Sequence, residues 1–305
     1  MLRLFQQHMT QNMSNFTSIG RPVDPRYPTN MAISIIMAIT TLAMFVFQLF
    51  TGTNFVQAGI QGIMAGLTIF LVWAFAREID PEEQLSAFVP VVLMFIVLFT
   101  IDAGYNLLVL FYMMTLARIV NRSVGLPAKL TDSVIILVFT GIIAYLYGWI
   151  YALLGVMAFL LDAMLPEANN RHKLFALLAL IVTIVVFVLQ GSTINPTFPS
   201  TDYLIVILLA GLIFIPVIWM SRQLNVAGDA NAETLIPIRV QATQILILAF
   251  AYVIAFWQGN EGIMTLLPLW IIFAGLAVFP LIKPLLPEIN LEMRASKSQI
   301  DAHKS

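Results

Sequence analysis

Ala117–Ser133, ARIVNRSVGLPAKLTDS, is the stretch on which the fold of this chain turns. It packs three cations, a Gly-Leu-Pro and a Thr-Asp-Ser into a chain of 305 residues that is 60% hydrophobic and only 10% charged. A soluble domain carries roughly a quarter charged residues, so the solvent for most of this chain is a bilayer. The stretch is then either a polar site for an anionic ligand or a loop that holds a membrane topology.

Working outward, runs of about 20 apolar residues mark membrane helices, because about 30 Å of hydrocarbon is crossed at about 1.5 Å per residue. Six segments meet this expectation: Met31–Phe50, Ala58–Ala76, Leu174–Leu189, Tyr203–Met220, Val240–Trp257 and Ile263–Ile282. Two further runs, Ser86–Ala117 and Ser133–Leu161, are too long for one crossing; the first would measure about 48 Å as a straight helix. Ile101-Asp102-Ala103-Gly104 interrupts the first and Tyr147-Gly148-Trp149 the second, each with a glycine. Splitting both gives ten helices, and splitting neither gives eight.

Charge decides between them, since Lys and Arg concentrate in short cytoplasmic loops. With ten helices and both termini inside, all 15 Lys and Arg fall on the inner side. With eight, Arg118, Arg122 and Lys129 would face outward. The expected architecture is an all-α integral membrane protein with about ten transmembrane helices. A polar cytoplasmic arm over 1–30 precedes the membrane domain at 31–285, and a cytoplasmic tail occupies 286–305. The arm lacks the apolar core and small-residue cleavage site of a signal peptide. Gly62-Ile63-Met64-Ala65-Gly66 is a small-xxx-small step suited to close helix approach, and Pro90, Pro216, Pro268 and Pro280 are expected inside helices, as possible kinks.

Composition excludes several kinds of chemistry. A net charge of −1 provides no basic field for nucleic acid, and zero cysteines exclude disulfides, thiolate nucleophiles and Cys-ligated metals. The three histidines, His8, His172 and His303, are too dispersed in sequence to suggest a metal site. The lipid bilayer is the expected partner, with an unknown small-molecule or lipid substrate and a location in the cytoplasmic (inner) membrane.

Ionisable groups inside a membrane are costly and usually functional, yet the helix interiors offer only uncharged polar residues. Gln61 and Asn106, with Asp102 at the outer break, are the candidate pore-lining residues. The inner loops after the second, fourth and sixth helices are richer. Arg77, Arg118, Arg122 and Arg171 are candidates for holding an anion, because guanidinium groups bind phosphate bidentately. Glu78, Asp80, Asp162 and Glu167 are candidates for acid–base work or for holding Mg²⁺ against a diphosphate.

The positions of Arg77-Glu78-x-Asp80 and Asp162-x-x-x-x-Glu167 resemble those of the aspartate-rich loops of intramembrane prenyltransferases, although the N-D-x-x-D-x-x-x-D motif is absent. Ala117-Arg118 and Gly125 echo the CDP-alcohol phosphotransferase motif, but no Asp-Gly precedes them and Asp132 stands at the wrong spacing, so that match fails. In size and helix count the chain resembles the drug/metabolite transporters, which implies two inverted five-helix halves, here divided at Gly148. Three functions follow as expectations. The first is a transporter or permease of a small organic or lipid-like solute. The others are an intramembrane enzyme acting on an isoprenoid or lipid phosphate, the one case requiring Mg²⁺, and a structural subunit of a membrane complex.

Overall fold

Glycine and asparagine set the breaks in the middle of the chain. The computed structural model describes residues 17–20, 23–101, 105–191, 194–228 and 233–285. Asp102, the 286–305 tail and most of the N-terminal arm therefore lie outside the described residues. The first long apolar run divides into α3 (Phe88–Thr100) and α4 (Leu107–Asn121). Asn106 starts α4 by accepting hydrogen bonds from the backbone N–H groups of Leu108 and Val109 at 3.0 and 3.1 Å, which satisfies two donors that the first turn leaves open. The second run divides into α5 (Leu130–Tyr147) and α6 (Ile150–Met164) at Gly148, whose φ of +115° is one that a side chain opposes.

The remaining helices are α1 (Pro28–Phe50), α2 (Phe55–Ile79), α7 (His172–Leu189), α8 (Thr201–Met220), α9 (Pro237–Gln258), the single turn-and-a-half α10 (Asn260–Thr265) and α11 (Leu267–Ile282). No β-strand occurs among the described residues. Seven of the helical segments are long and apolar enough to cross a membrane, and α3, α4 and α6 are shorter.

Two expectations need correction. Ile263–Ile282 is not one continuous helix, because Leu266 separates α10 from α11. Pro90 and Pro268 fall in the first turns of α3 and α11, where a missing N–H costs nothing and the ring produces no kink. Pro216 and Pro280 do lie inside helices.

Backbone contacts divide the chain into two compact units, one comprising 1–22, 78–82 and 103–270, the other 23–77, 83–102 and 271–305. This division does not fall at Gly148 and so does not coincide with two five-helix halves.

In the smaller unit, α1 and α2 meet at Gly62 and Gly66, where an added Cβ would sit 2.7 Å from the Thr41 carbonyl oxygen and 2.1 Å from Thr41 Oγ1. The outer stripe of α1 (Ile35, Ile39, Leu42 and Val46) is exposed. Apolar side chains in such a row are suited to lipid, not water.

In the larger unit, six successive helices alternate in direction, as their end-to-end contacts require. At one end the Asn106 N–H, at the start of α4, donates to Thr265 O at 3.1 Å. Tyr151 at the start of α6 donates to Gln258 Oε1 at the end of α9 at 3.1 Å, and Gln190 just after α7 donates to Tyr145 O near the end of α5 at 3.0 Å. Ser200 N–H, immediately before α8, donates to Asn260 Oδ1 at 2.9 Å. The opposite ends of the same helices carry the cations Arg118, Lys129, Lys173 and Arg239.

Candidate functional site

Asp162, in the last turn of α6, is fully buried, with two guanidinium groups on one carboxylate oxygen and an imidazole facing the other. Arg122 reaches Oδ1 through Nε at 3.0 Å and Nη2 at 2.9 Å, and Arg239 reaches the same oxygen through Nη1 at 2.7 Å. His172 Nδ1 lies 2.7 Å from Oδ2, and its Nε2 lies 2.8 Å from Ser133 Oγ. This network draws together the end of α4, the start of α5, the end of α6 and the starts of α7 and α9. Arg239 adds backbone contacts, donating to Val120 O at 2.9 Å and Pro166 O at 2.8 Å.

A second buried group lies in the same unit. Glu78 Oε1 accepts from Arg118 Nε at 2.9 Å, and Oε2 accepts from Ser123 Oγ. Asn121 donates to the Glu78 carbonyl at 2.8 Å, and Gln244 to the Ile79 carbonyl at 2.8 Å.

The Ala117–Ser133 stretch is held by these partners. Asn121 ends α4, and Arg122 takes a left-handed φ of 52° as its cap while its N–H donates to Arg118 O at 3.2 Å. Gly125 and Pro127 lie in the loop that follows, and Asp132, three residues into α5, reaches back to the Lys129 N–H at 3.1 Å, one half of a capping box. Ser18 binds the same carboxylate through N and Oγ at 2.9 and 2.8 Å.

Ser133, His172 and Asp162 stand in the order hydroxyl, imidazole, carboxylate, the geometry that activates a serine nucleophile. Their environment opposes that role. Ser133 is 2% exposed, and the carboxylate that would stabilise an imidazolium already serves two guanidinium groups. His172 sits between the two, with Nδ1 toward Asp162 and Nε2 toward the Ser133 hydroxyl, and which nitrogen donates follows the tautomer. The trio therefore acts as a polar tie across α5, α6 and α7.

Beside the network opens a cleft of about 390 Å³ lined by Arg122, Pro127, Glu167, Asn169, Asn170 and Arg171. Arg122 Nη1 faces Glu167 Oε2 at 3.5 Å. These two are the non-glycine residues with left-handed φ among those described, 52° and 61°, a conformation costing about 1–2 kcal/mol for an L-residue. Strained backbone of this kind concentrates at functional sites. Two guanidinium groups, Arg122 and Arg171, and one carboxylate, Glu167, line the cleft, and Arg122 also serves the buried Asp162.

Of the residues singled out in the sequence, Arg118 and Glu78 meet each other, and Arg122 meets both Asp162 and Glu167. Arg171 is exposed on the cleft, and Asp80 is half-buried in the loop after α2. Arg77 belongs to the other unit, donating to Asn30 Oδ1 at 3.3 Å with its guanidinium 5.1 Å from the Trp73 ring. Gln61 is exposed on α2, and the Asn106 side chain is used as a helix cap. Arg239, His172, Ser133, Ser123 and Asn121 were not anticipated in these roles. Among the described residues no cluster of three or more histidine or carboxylate side chains is placed to hold a metal ion.

The class that the fold defines is a multi-pass helical membrane protein. No protein-family model, curated protein or solved structure matches the chain.

Proposed function

We propose that this is a ten-span protein of the cytoplasmic membrane, with both termini inside, that acts as a permease for an anionic, lipid-like solute received at the inner-face cleft. One observation carries the reading: a cleft lined by two guanidinium groups, Arg122 and Arg171, and one carboxylate, Glu167, opens at the cationic ends of the helices. Bilayer thinning and long flanking cations accommodate short spans such as α4 and α6, each about 22 Å long. The alternating helix ends and the one-sided distribution of cations support ten crossings. Translocation itself rests on the number of apolar helices, because Gln61 and Asn106 offer no support for a pore.

The alternative of a Mg²⁺-assisted enzyme has less support. Both oxygens of Glu78 and both of Asp162 already contact arginine, serine or histidine, which disfavours two of the four candidate carboxylates as ligands of the cation. A purely structural subunit would have no need of the cleft.

The test uses the purified full chain in detergent, titrated with dioctanoyl phosphatidic acid and with uncharged dioctanoylglycerol. The acid is expected to bind, the neutral lipid not to. Arg171→Ala is expected to weaken binding about tenfold, the value of one charge-assisted hydrogen bond. Equal binding of both lipids, or an unchanged Arg171→Ala, contradicts the reading. Recovery of the acid unchanged favours transport, and release of phosphate favours the enzyme.

A further inference from the structure

Glu167 is the member of the cleft whose presence an anion site does not explain. Its side chain is 63% exposed, while the Arg122 guanidinium it faces at 3.5 Å is 5% exposed. A carboxylate free to enter water gains little from so long a contact, yet the backbone is bent to deliver it. Glu167 has φ 61°, and its carbonyl lies 3.5 Å from Arg239 Nη2. The preceding Pro166 carbonyl accepts from Arg239 Nε at 2.8 Å. The buried arginine thus pins the α6–α7 turn by its main chain, and the pinned turn carries the carboxylate to the one Arg122 nitrogen that does not contact Asp162.

We infer that the Glu167 carboxylate is a built-in occupant of the cleft's anion subsite, and that a phosphate group displaces it on binding. The inference rests on the ligand reading above and specifies both the chemistry and the place. Phosphate oxygens take the position of Glu167 Oε2 on Arg122 Nη1, with Arg171 on the same cleft available as a second cation. The exchange is easy, because the displaced carboxylate is already largely in water and Arg122 keeps Asp162 throughout. It also sets selectivity. A phosphate carrying up to two negative charges competes with one carboxylate, whereas a neutral headgroup gains nothing from evicting it.

The test compares wild type, Glu167→Gln and Glu167→Asp as purified full-length protein in detergent at low salt, with dioctanoyl phosphatidic acid and inorganic phosphate as probes. Glu167 is exposed, so folding is expected to be unaffected. Glu167→Gln is expected to bind phosphatidic acid about fivefold more tightly, the advantage shrinking at high salt as an ionic competition must. Glu167→Asp is expected to retain wild-type competition. A parallel gain for inorganic phosphate supports the displacement with free phosphate as a ligand, and a gain confined to the lipid supports it with the headgroup as the ligand. Wild-type binding that Glu167→Gln leaves unchanged or weakens overturns the displacement alone. Absence of binding by every variant overturns the ligand reading and the displacement with it.

Discussion

Asp162→Ala is expected to be the most damaging single substitution in the chain, destabilising the larger unit by about 3–5 kcal/mol, the cost of removing one partner from a buried ion pair. The carboxylate is fully buried and lies 2.9 Å from Arg122, 2.7 Å from Arg239 and 2.7 Å from His172. Its loss leaves two buried guanidinium groups with no buried counter-charge. Against a total stability of about 5–15 kcal/mol, this is enough to prevent accumulation of folded protein. Adding Arg239→Met to Asp162→Ala removes one of the stranded cations and is expected to recover part of the loss. The readout is thermal unfolding in detergent by tryptophan fluorescence, reported by the Trp149–Trp257 pair in the same unit. A melting temperature for Asp162→Ala within a few degrees of wild type, about 1 kcal/mol or less, contradicts the role assigned to this network.

The second large effect is expected in the smaller unit from Gly66→Leu. A Cβ at Gly66 would lie 2.1 Å from Thr41 Oγ1 and 3.0 Å from the Met37 carbonyl oxygen, and one at Gly62 would lie 2.7 Å from the Thr41 carbonyl. The carbonyls belong to the α1 backbone and cannot rotate away, so a branched side chain must force α1 and α2 apart. The expected destabilisation is about 1–3 kcal/mol, the usual range for overpacking. Gly66→Ala is expected to be milder, and milder still in a Thr41→Ala background that removes the nearest atom. Unfolding of Gly66→Leu indistinguishable from wild type rules out the close approach of α1 and α2.

The Asp162 network and the Gly62–Gly66 contact are unequally visible in the sequence. The Gly62-x-x-x-Gly66 step was legible because its meaning is local, two small residues one helical turn apart. The breaks between α3 and α4 and between α5 and α6 were legible because apolar runs longer than a bilayer must be interrupted, and Gly148 is where one chain can turn. The charged loops could be assigned to one common side because cations orient membrane helices. That assignment also placed Glu78 with Arg118, and Arg122 with Asp162 and Glu167, on the same side.

The pairing itself was not legible. Arg239 stands 77 positions from Asp162 and His172 stands 39 from Ser133, and helices apolar on every face give no periodicity that says which of them pack together. Arg239 therefore read as one more orienting cation and His172 as an isolated residue. Ser123, just past the end of α4, is 1% exposed and bonded to Glu78, a burial that no local pattern signals. Leu266, where Ile263–Ile282 divides, carries no helix-breaking side chain and left no signal at all.

The central claim is that the charged helix ends, and the cleft among them, face the cytoplasm. A chain without native cysteine allows a direct measurement. Leu126→Cys, exposed in the loop between α4 and α5, and Asn195→Cys, exposed between α7 and α8, are each treated in intact cells with a membrane-impermeant maleimide. The expected result is labelling of Asn195→Cys in intact cells and of Leu126→Cys only after the membrane is permeabilised. Labelling of Leu126→Cys from outside would place Arg118, Arg122 and Lys129 on the wrong side of the membrane and contradict the ten-span account together with the inner-face site.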